Sequence, residues 1–224
     1  MSGLEVLYRD AELVAVNKPS GVIVHRGWGR ARVVLVDQIR ELTGLDVVHP
    51  AHRLDGGTSG VVLFALDREA ARSLGAQLEA GAVGKRYLAL VRGEAPESTV
   101  VDHAIPRVAG GPRVPAVTEI HGLAAVDLEP RTLSLVEALP RTGRLHQVRR
   151  HLKHIDHPVI GDANYGKGAL NREIAERYGL ERLALHAQSI AFLHPRTGER
   201  IEISAPLPPD LAGPLAAMGF DLAL

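Results

Sequence analysis

The sequence predicts an α+β fold with a mixed, mostly antiparallel central sheet and flanking helices. Three observations support this fold class. Several segments have the alternating apolar and polar residues, or the β-branched residues, that are typical of strands. Only a few segments are amphipathic at helical spacing. The predicted strands and helices do not alternate strictly along the chain, as βαβ units would require. A chain of 224 residues can bury an ordinary core, and we expect residues 1–224 to form one domain.

The strands of this fold are predicted where short runs of β-branched and apolar residues are flanked by Gly, Pro or charged residues. They are, in chain order, LVAVNKPSG from Leu13, SGVVLFAL from Ser59, RYLALVRG from Arg86 and TLSLVEAL from Thr132. We expect them to pair antiparallel.

Three helices are predicted. VVLVDQIRELTG ends at Gly44, and DREAARSLGAQLEAG begins after an N-cap at Asp67 and ends at Gly81, since acidic N-caps and C-terminal glycines delimit helices. The third helix covers residues 146–155, with one apolar side and the remaining basic residues on the surface. Its apolar side consists of Val148, Leu152 and Ile155, and its surface residues are Arg150, Lys153 and His154.

The segment between Gly93 and Val117 is predicted as a loop with one short strand, because it is rich in Pro and Gly. We find no internal repeat, low-complexity tract or long flexible linker.

The composition excludes several classes of protein. With 46% hydrophobic and 23% charged residues, the chain has the composition of a soluble globular protein. No leader peptide and no membrane-spanning run is present, so the cytoplasm is the expected location. The absence of cysteine excludes disulfides, thiolate nucleophiles and thiolate metal sites. The formal net charge of zero argues against nucleic-acid binding by overall basicity.

The densest candidate for chemistry is HRLDGGTSG, residues 52–60, directly before a predicted strand. It places the carboxylate of Asp55 beside Arg53 and before two glycines that allow close backbone approach. The alternative is that Asp55 only caps a turn with Thr58 and Ser59. The motif by itself does not decide between these interpretations.

A second candidate is the basic segment RTGRLHQVRRHLKHIDH, residues 141–157, where five Lys and Arg residues face one acid. Main-chain amides and guanidinium groups at a helix start can bind phosphate. The alternative is a solvated charged helix face. A metal site formed by His146, His151, His154 and His157 is a further alternative, but no HExxH pattern or third carboxylate ligand supports it.

Together, these segments and their order resemble the RluA family of pseudouridine synthases. The resemblance runs from LYRDAELVAVNKPSGVIVHR through HRLDGGTSGVVLFA, KRYLALVRG and RTGRLHQVRRHLKHIDHPVIGDANYG to LALHAQSIAFLHPRTGERIEI. It implies the pseudouridine synthase fold. Because the chain begins directly with the sequence that resembles this catalytic domain, we expect no separate N-terminal RNA-binding domain of the S4 type. VHRGW and GALNREIAERYGLERLALHA resemble the members that act on tRNA, which implies a T-stem uridine, number 65, as the target.

The resemblance also implies roles for individual residues. Asp55 is expected to be the catalytic aspartate, Tyr87 to stack on the target base and Arg149 to pair with the aspartate. Leu185 is expected to be an apolar pocket residue. The other expected substrate-binding residues are His52, Arg53, Thr58, Arg141, Arg144, His146, Gln147 and Arg150. The chain departs from the commoner sequence pattern of the family at Gly56 and Leu145.

Isomerisation of uridine transfers no hydride, phosphoryl group or net water, so no metal and no organic cofactor is expected. RNA is the expected partner, with tRNA favoured over ribosomal RNA. No membrane association and no protein partner is indicated, and a monomer is expected. The alternatives are a ribosomal RNA member of the family, a non-catalytic RNA-binding module or RNA chaperone, and a metal-dependent hydrolase.

Overall fold

The computed structural model describes residues 4–25, 34–106, 110–129 and 131–222. The chain divides into two compact units. Unit 1 comprises Met1–Lys85 and Ala187–Pro206, and unit 2 comprises Arg86–His186 and Leu207–Leu224. The prediction that residues 1–224 act as one domain stays a prediction. The segment VHRGW lies outside the described residues beyond His25.

The described ranges contain twelve strands and five helices. The strands are β1 (Glu5–Arg9), β2 (Leu13–Lys18), β3 (His49–Pro50), β4 (Ser59–Ala65), β5 (Gly84–Arg92), β6 (Ser98–Asp102), β7 (Ile105–Pro106), β8 (Arg113–Val114), β9 (Val117–Leu128), β10 (Arg131–Pro140), β11 (Leu185–Leu193) and β12 (Arg200–Ser204). The helices are α1 (Leu35–Thr43), α2 (Arg68–Glu79), α3 (Gln147–His154), α4 (Gly168–Tyr178) and α5 (Pro209–Ala217). The predicted α+β class, with mostly antiparallel strands, is confirmed.

Unit 1 is built on antiparallel strands covered by α2. Strand β2 pairs with β1 and β4, β3 pairs with the far end of β4, and β12 pairs with β11. The alternation of β2 and β4 directs Leu13 and Leu63 into a core that also holds Ala70 and Leu74 of α2. Because Ala70 and Leu74 are one helical turn apart, they share the face of α2 that packs on this core.

Unit 2 contains a second antiparallel set in the order β5, β10, β9, β6, and a separate hairpin of β7 and β8. Its core takes Leu88 and Leu90 from β5, Leu135 from β10, and Val148 and Leu152 from α3. The predicted apolar side of α3 is therefore the side that packs on the sheet.

The predicted ends of two helices are confirmed. Helix α1 ends at Gly44, which has a φ of 73° and donates its N–H to the carbonyl of Arg40. This left-handed conformation favours glycine. Helix α2 begins after Asp67, whose side chain accepts the N–H of Ala70. Local signals thus predicted these boundaries correctly.

The segment between Gly93 and Val117 differs from its prediction. One short strand was expected, but among its described residues β6, β7 and β8 are all formed. Strand β6 pairs with β9, with Ser98 opposite His121. The partner strand is remote in sequence and its own alternation is weak, so local composition did not reveal the pairing. No helix in the described part of the chain is long and apolar enough to cross a membrane.

Candidate active site

Asp55 lies in a turn between β3 and β4 of unit 1. The turn is closed by the N–H of Thr58, which donates to the main-chain carbonyl of Asp55 at 3.0 Å. Thr58 is 2% exposed, whereas Asp55 is half-buried and Arg53 is exposed. The turn is therefore held by main-chain atoms, and Arg53 is the side chain at this loop that is most accessible to a ligand.

The loop after β2 anchors this turn from one side. The N–H of Gly21 donates to the carbonyl of Gly56 at 2.8 Å, and Ser20 Oγ donates to the carbonyl of Gly57 at 2.9 Å. The ammonium of Lys18 donates to the carbonyls of Pro19, Val22 and Gly56, at 2.9, 2.6 and 3.3 Å. These bonds fix the backbone of the turn that carries the Asp55 side chain.

Lys18 is fully buried, and its role in this anchor was missed by the sequence analysis. A buried ammonium is costly unless each of its N–H groups is hydrogen-bonded, and three carbonyls meet that requirement here. The signal was present in the segment NKPSG, which precedes a turn, but a lysine at a strand end normally points to solvent.

His52 precedes Asp55 in the same loop and is hydrogen-bonded to β4. Its Nε2 accepts the N–H of Leu63 at 3.2 Å, which leaves the proton of the neutral imidazole on Nδ1. Burial and the charge of Lys85 lower the pKa of His52 to about 4. At neutral pH the side chain is therefore uncharged and hydrogen-bonded within unit 1, and its expected role in substrate binding stays a prediction.

The lowered pKa of His52 predicts a pH dependence of stability. Because the unfolded imidazole binds a proton near pH 6.5 and the folded one near pH 4, stability is full above pH 6.5 and falls as the pH drops towards 4. The loss amounts to about 3 kcal/mol. Urea unfolding at pH 7.5, 5.5 and 4.5 would measure it.

The matched control for this prediction is His52→Gln, whose carbonyl oxygen can accept the same N–H of Leu63 without titrating. Its stability is expected to fall less steeply over the same pH range. Equal slopes for the wild type and His52→Gln would contradict the role assigned to this imidazole.

Arg149 belongs to unit 2 and is 6% exposed. Its Nε and Nη2 donate to the two carboxylate oxygens of Asp162 at 2.7 and 2.8 Å, a bidentate ion pair. Burial by itself would raise the pKa of Asp162, but the bonds from Arg149 and from the N–H groups of Tyr165 and Asn164 outweigh it and lower the pKa. The pair fixes the plane and direction of the guanidinium. The expected pairing of Arg149 with Asp55 stays a prediction.

Gln147 is a buried residue at the start of α3. The amide is 4% exposed and makes four hydrogen bonds. Its oxygen accepts from Thr142 and Arg144, and its nitrogen donates to Val117 and Thr118. An amide with two bonds to its oxygen and two from its nitrogen is fully satisfied, so Gln147 organises the start of α3. Its expected role in substrate binding stays a prediction.

The three remaining arginines of the basic segment differ in their surroundings. Arg141 is exposed but forms a bidentate ion pair with Glu119 at 3.0 and 2.8 Å. Arg144 is exposed, and its Nε donates to the uncharged carbonyl of Pro115 at 3.2 Å. Arg150 is half-buried, contrary to the surface position expected for it, because its Nε donates to Tyr165 and its Nη1 to the carbonyl of Pro106. Arg144 is therefore the arginine of this group best suited to bind phosphate.

Tyr87 and Leu185 of unit 2 differ in how deeply they are buried. Tyr87 lies on β5 opposite Ala138 of β10, and it is half-buried against the core. Leu185, at the start of β11, is 3% exposed within that core. Their expected roles in base stacking and in an apolar pocket stay predictions.

The four histidines considered for a metal site have separate partners. His146 contacts Tyr165, His151 contacts Thr118 and the carbonyl of His103, and His157 contacts the carbonyl of Arg92. His154 stacks on His103, with ring centroids 3.7 Å apart. This arrangement does not bring the four imidazoles to a common point.

Asp10, Glu12 and His194 do lie close enough together to hold an ion. However, His194 Nδ1 accepts the N–H groups of Arg196 and Thr197, so its Nε2 carries the proton and donates to Asp10 at 2.9 Å. Glu12 is paired with Arg196. The cluster is therefore satisfied as a hydrogen-bonded network of unit 1.

Several known proteins are similar to this chain in sequence. A family model described as RNA pseudouridylate synthase matches residues 12–154. A protein of Haemophilus ducreyi called tRNA pseudouridine synthase C is 42% identical over 219 residues, covering 90% of this chain and 90% of that protein. A protein of the same name from Vibrio cholerae is 36% identical over 240 residues, covering 99% and 98%.

Two solved structures resemble the chain over most of its length. Human RNA Pseudouridylate Synthase Domain Containing 4 has a TM-score of 0.77 and 28% identity, and the match covers 96% of this chain and 92% of that chain. Human RNA Pseudouridylate Synthase Domain Containing 1 has a TM-score of 0.76 and 30% identity, with coverages of 93% and 86%.

Proposed function

This chain belongs to the RNA pseudouridylate synthase family, and from that membership we propose that its substrate is tRNA, with T-stem uridine 65 as the target. The enzyme is an isomerase of uridine in RNA. Pseudouridine formation breaks the C–N glycosidic bond, rotates the uracil and rejoins it through C5. The target base must leave its stack, at a cost of a few kcal/mol that RNA contacts offset.

The observation that carries the tRNA proposal is the near full-length similarity to proteins called tRNA pseudouridine synthase C, at 36% to 42% identity. The similarity covers 90% to 99% of this chain. The members that act on ribosomal RNA form the second candidate, which rests on family membership alone.

Release of tritium from uridine labelled at C5 tests the proposal directly, because C5 loses its hydrogen when it joins the sugar. We expect release from a tRNA transcript and none from the same transcript with cytidine at position 65. Release from ribosomal RNA fragments, with none from tRNA, would replace this proposal with the second candidate. Release from the cytidine variant would move the target to another uridine.

Within this reaction, Asp55 is proposed as the catalytic carboxylate, Tyr87 as the residue that stacks on the flipped uracil, and Arg149 as a cationic residue that keeps Asp55 ionised. Asp55 is supported by its anchored turn. Arg149 is supported by a guanidinium that Asp162 holds in one orientation. Leu185 is proposed to contribute apolar surface to the base-binding pocket.

RNA binding is proposed to rely on exposed cations, chiefly Arg53 and Arg144. Arg144→Gln is expected to weaken tRNA binding and to lower the slope of log K against log salt by about one, since one phosphate contact is lost. Arg141→Gln is the matched control and is expected to change the slope less, because Glu119 already neutralises Arg141. Filter binding between 50 and about 200 mM salt measures both slopes. An equal or larger change for Arg141→Gln would contradict this assignment.

The remaining parts of the proposal concern the working form of the enzyme. Residues 1–224 are proposed to act as one catalytic domain, as a monomer and in the cytoplasm, where tRNA is modified. Neither a metal ion nor an organic cofactor is part of the proposed reaction, because the isomerisation needs no external electron or group carrier.

A further inference from the structure

Tyr165 is the centre of a polar cluster that the proposed reaction does not yet use. It lies in the loop GDANYG, residues 161–166, which follows the basic segment 141–157 in the chain. Its hydroxyl is 2.8 Å from Arg150 Nε and 3.0 Å from His146 Nδ1, and its ring lies 5.1 Å from the guanidinium carbon of Arg149. One tyrosine thus touches three of the basic residues expected at the site.

The loop that carries Tyr165 is held tightly within unit 2. Asp162 accepts the N–H groups of Asn164 and Tyr165 at 2.9 and 3.0 Å, and its own carbonyl accepts the N–H of Gly166 at 3.0 Å. A Cβ on Gly161, which has a φ of 77°, would lie 1.9 Å from the carbonyl oxygen of Arg182. The loop therefore has little freedom, and Tyr165 is placed by the same carboxylate that orients Arg149.

The hydrogen bond between Arg150 and the Tyr165 hydroxyl has a fixed direction. A guanidinium nitrogen can only donate, so the hydroxyl oxygen accepts from Arg150. Its single O–H can then donate to His146 Nδ1, which continues a chain in which each bond polarises the next. With Nδ1 as the acceptor, the neutral imidazole carries its proton on Nε2.

The backbone at His146 shows a second constraint. His146 has a φ of 55°, in the left-handed region, although it is not glycine. It is also the N-cap of α3 and makes no capping bond with its side chain. Left-handed backbone is unfavourable for a residue with a Cβ and is retained where the surrounding structure holds it, often at functional sites. Here the contact with Tyr165 holds the imidazole that this backbone presents.

We propose that Tyr165 is a positioning residue of the RNA-modifying site. It fixes His146 as a neutral Nε2–H donor, and the chemistry that this donor recognises is an oxygen atom of the substrate RNA, in a phosphate or a uracil carbonyl. The inference rests on the proposed function and adds to it the role of His146. Tyr165 itself acts through His146 and does not need to touch the RNA.

A double-mutant cycle tests this role. Tyr165→Phe keeps the ring and removes the hydroxyl, and it is expected to lower kcat/KM for tRNA about tenfold, the value of one well-formed hydrogen bond. In a His146→Ala background the same change is expected to cost less than about twofold, because the residue through which the hydroxyl acts is absent. Equal losses in both backgrounds would overturn the proposal.

Tyr178→Phe is the matched control. Tyr178 also packs on the core of unit 2 and has an arginine, Arg177, over its ring at 5.3 Å, but it lies on α4 outside the cluster. It is expected to leave kcat/KM within about twofold of wild type. Tritium release by the wild type is measured in the same assay. Absence of release by the wild type would contradict the proposed function, whereas equal losses in both backgrounds of the cycle would contradict only the role of Tyr165.

The tautomer gives a readout that loss of folding alone would not produce. In the wild type, long-range ¹H–¹⁵N spectra of His146 are expected to show an unprotonated Nδ1 and a protonated Nε2 at neutral pH. In Tyr165→Phe the two nitrogens are expected to move towards the mixed tautomers of a free imidazole. A protonated Nδ1 in the wild type would overturn the proposal, whatever the kinetics show.

Discussion

Asp55→Asn is expected to abolish pseudouridine formation, with a loss of about three orders of magnitude or more, while tRNA binding stays within a few fold of wild type. The substitution removes the charge and keeps the shape. The turn survives because its bonds run through the main-chain carbonyls of residues 55, 56 and 57, none of which changes. The effect should therefore fall on the chemical step.

Single-turnover tritium release and filter binding measure the two quantities separately. Asp46→Asn is the matched control, since Asp46 is an exposed aspartate of the same unit. It is expected to behave as wild type in both assays. Substantial activity in Asp55→Asn would remove Asp55 from the proposed mechanism.

Arg149→Ala is expected to lower the free energy of unfolding by about 3 to 5 kcal/mol, because it leaves a buried carboxylate without its cation. Asp162 is 1% exposed and receives two bonds from Arg149. The N–H groups of Asn164 and Tyr165 remain, but they cannot replace a full positive charge. Urea unfolding at neutral pH measures the loss, and wild-type stability in this variant would refute the role assigned to the pair.

A double variant separates the structural role of Arg149 from its catalytic role. Arg149→Met with Asp162→Asn removes both charges, while the Asn oxygen can still accept the loop N–H groups. We expect it to recover much of the stability lost in Arg149→Ala but none of the activity. Recovery of wild-type activity would show that Arg149 serves only folding.

The pH dependence of this ion pair is the same in sign as that of His52, but its range is lower. The pKa of Asp162 is depressed in the folded state, so its contribution to stability is complete above the ordinary range of an aspartate and is lost as the pH falls below it. The two effects can be separated, because His52 acts at higher pH.

Local sequence patterns predicted much of the framework. β2, β4 and β10 were predicted from alternation, the end of α1 from Gly44 and the start of α2 from Asp67, since each of these signals acts over a few neighbouring residues. Patterns predicted one short strand between Gly93 and Val117, but they did not predict β9 or its pairing with β6. The family, and with it the choice of Asp55 over a simple turn cap, followed from several separated segments considered together.

The sequence by itself therefore determined the fold class, the family and the catalytic candidates. Tertiary structure alone decided which polar residues are buried and what they bind. Lys18, Gln147 and Asp162 are all nearly inaccessible, although each is of a type that is normally exposed. Their burial depends on partners remote in the chain: Lys18 bonds Gly56, Gln147 bonds Val117 and Asp162 bonds Arg149. No local pattern encodes such pairs, because burial of a charged or polar group is stable only when the folded chain brings its partner within bonding distance.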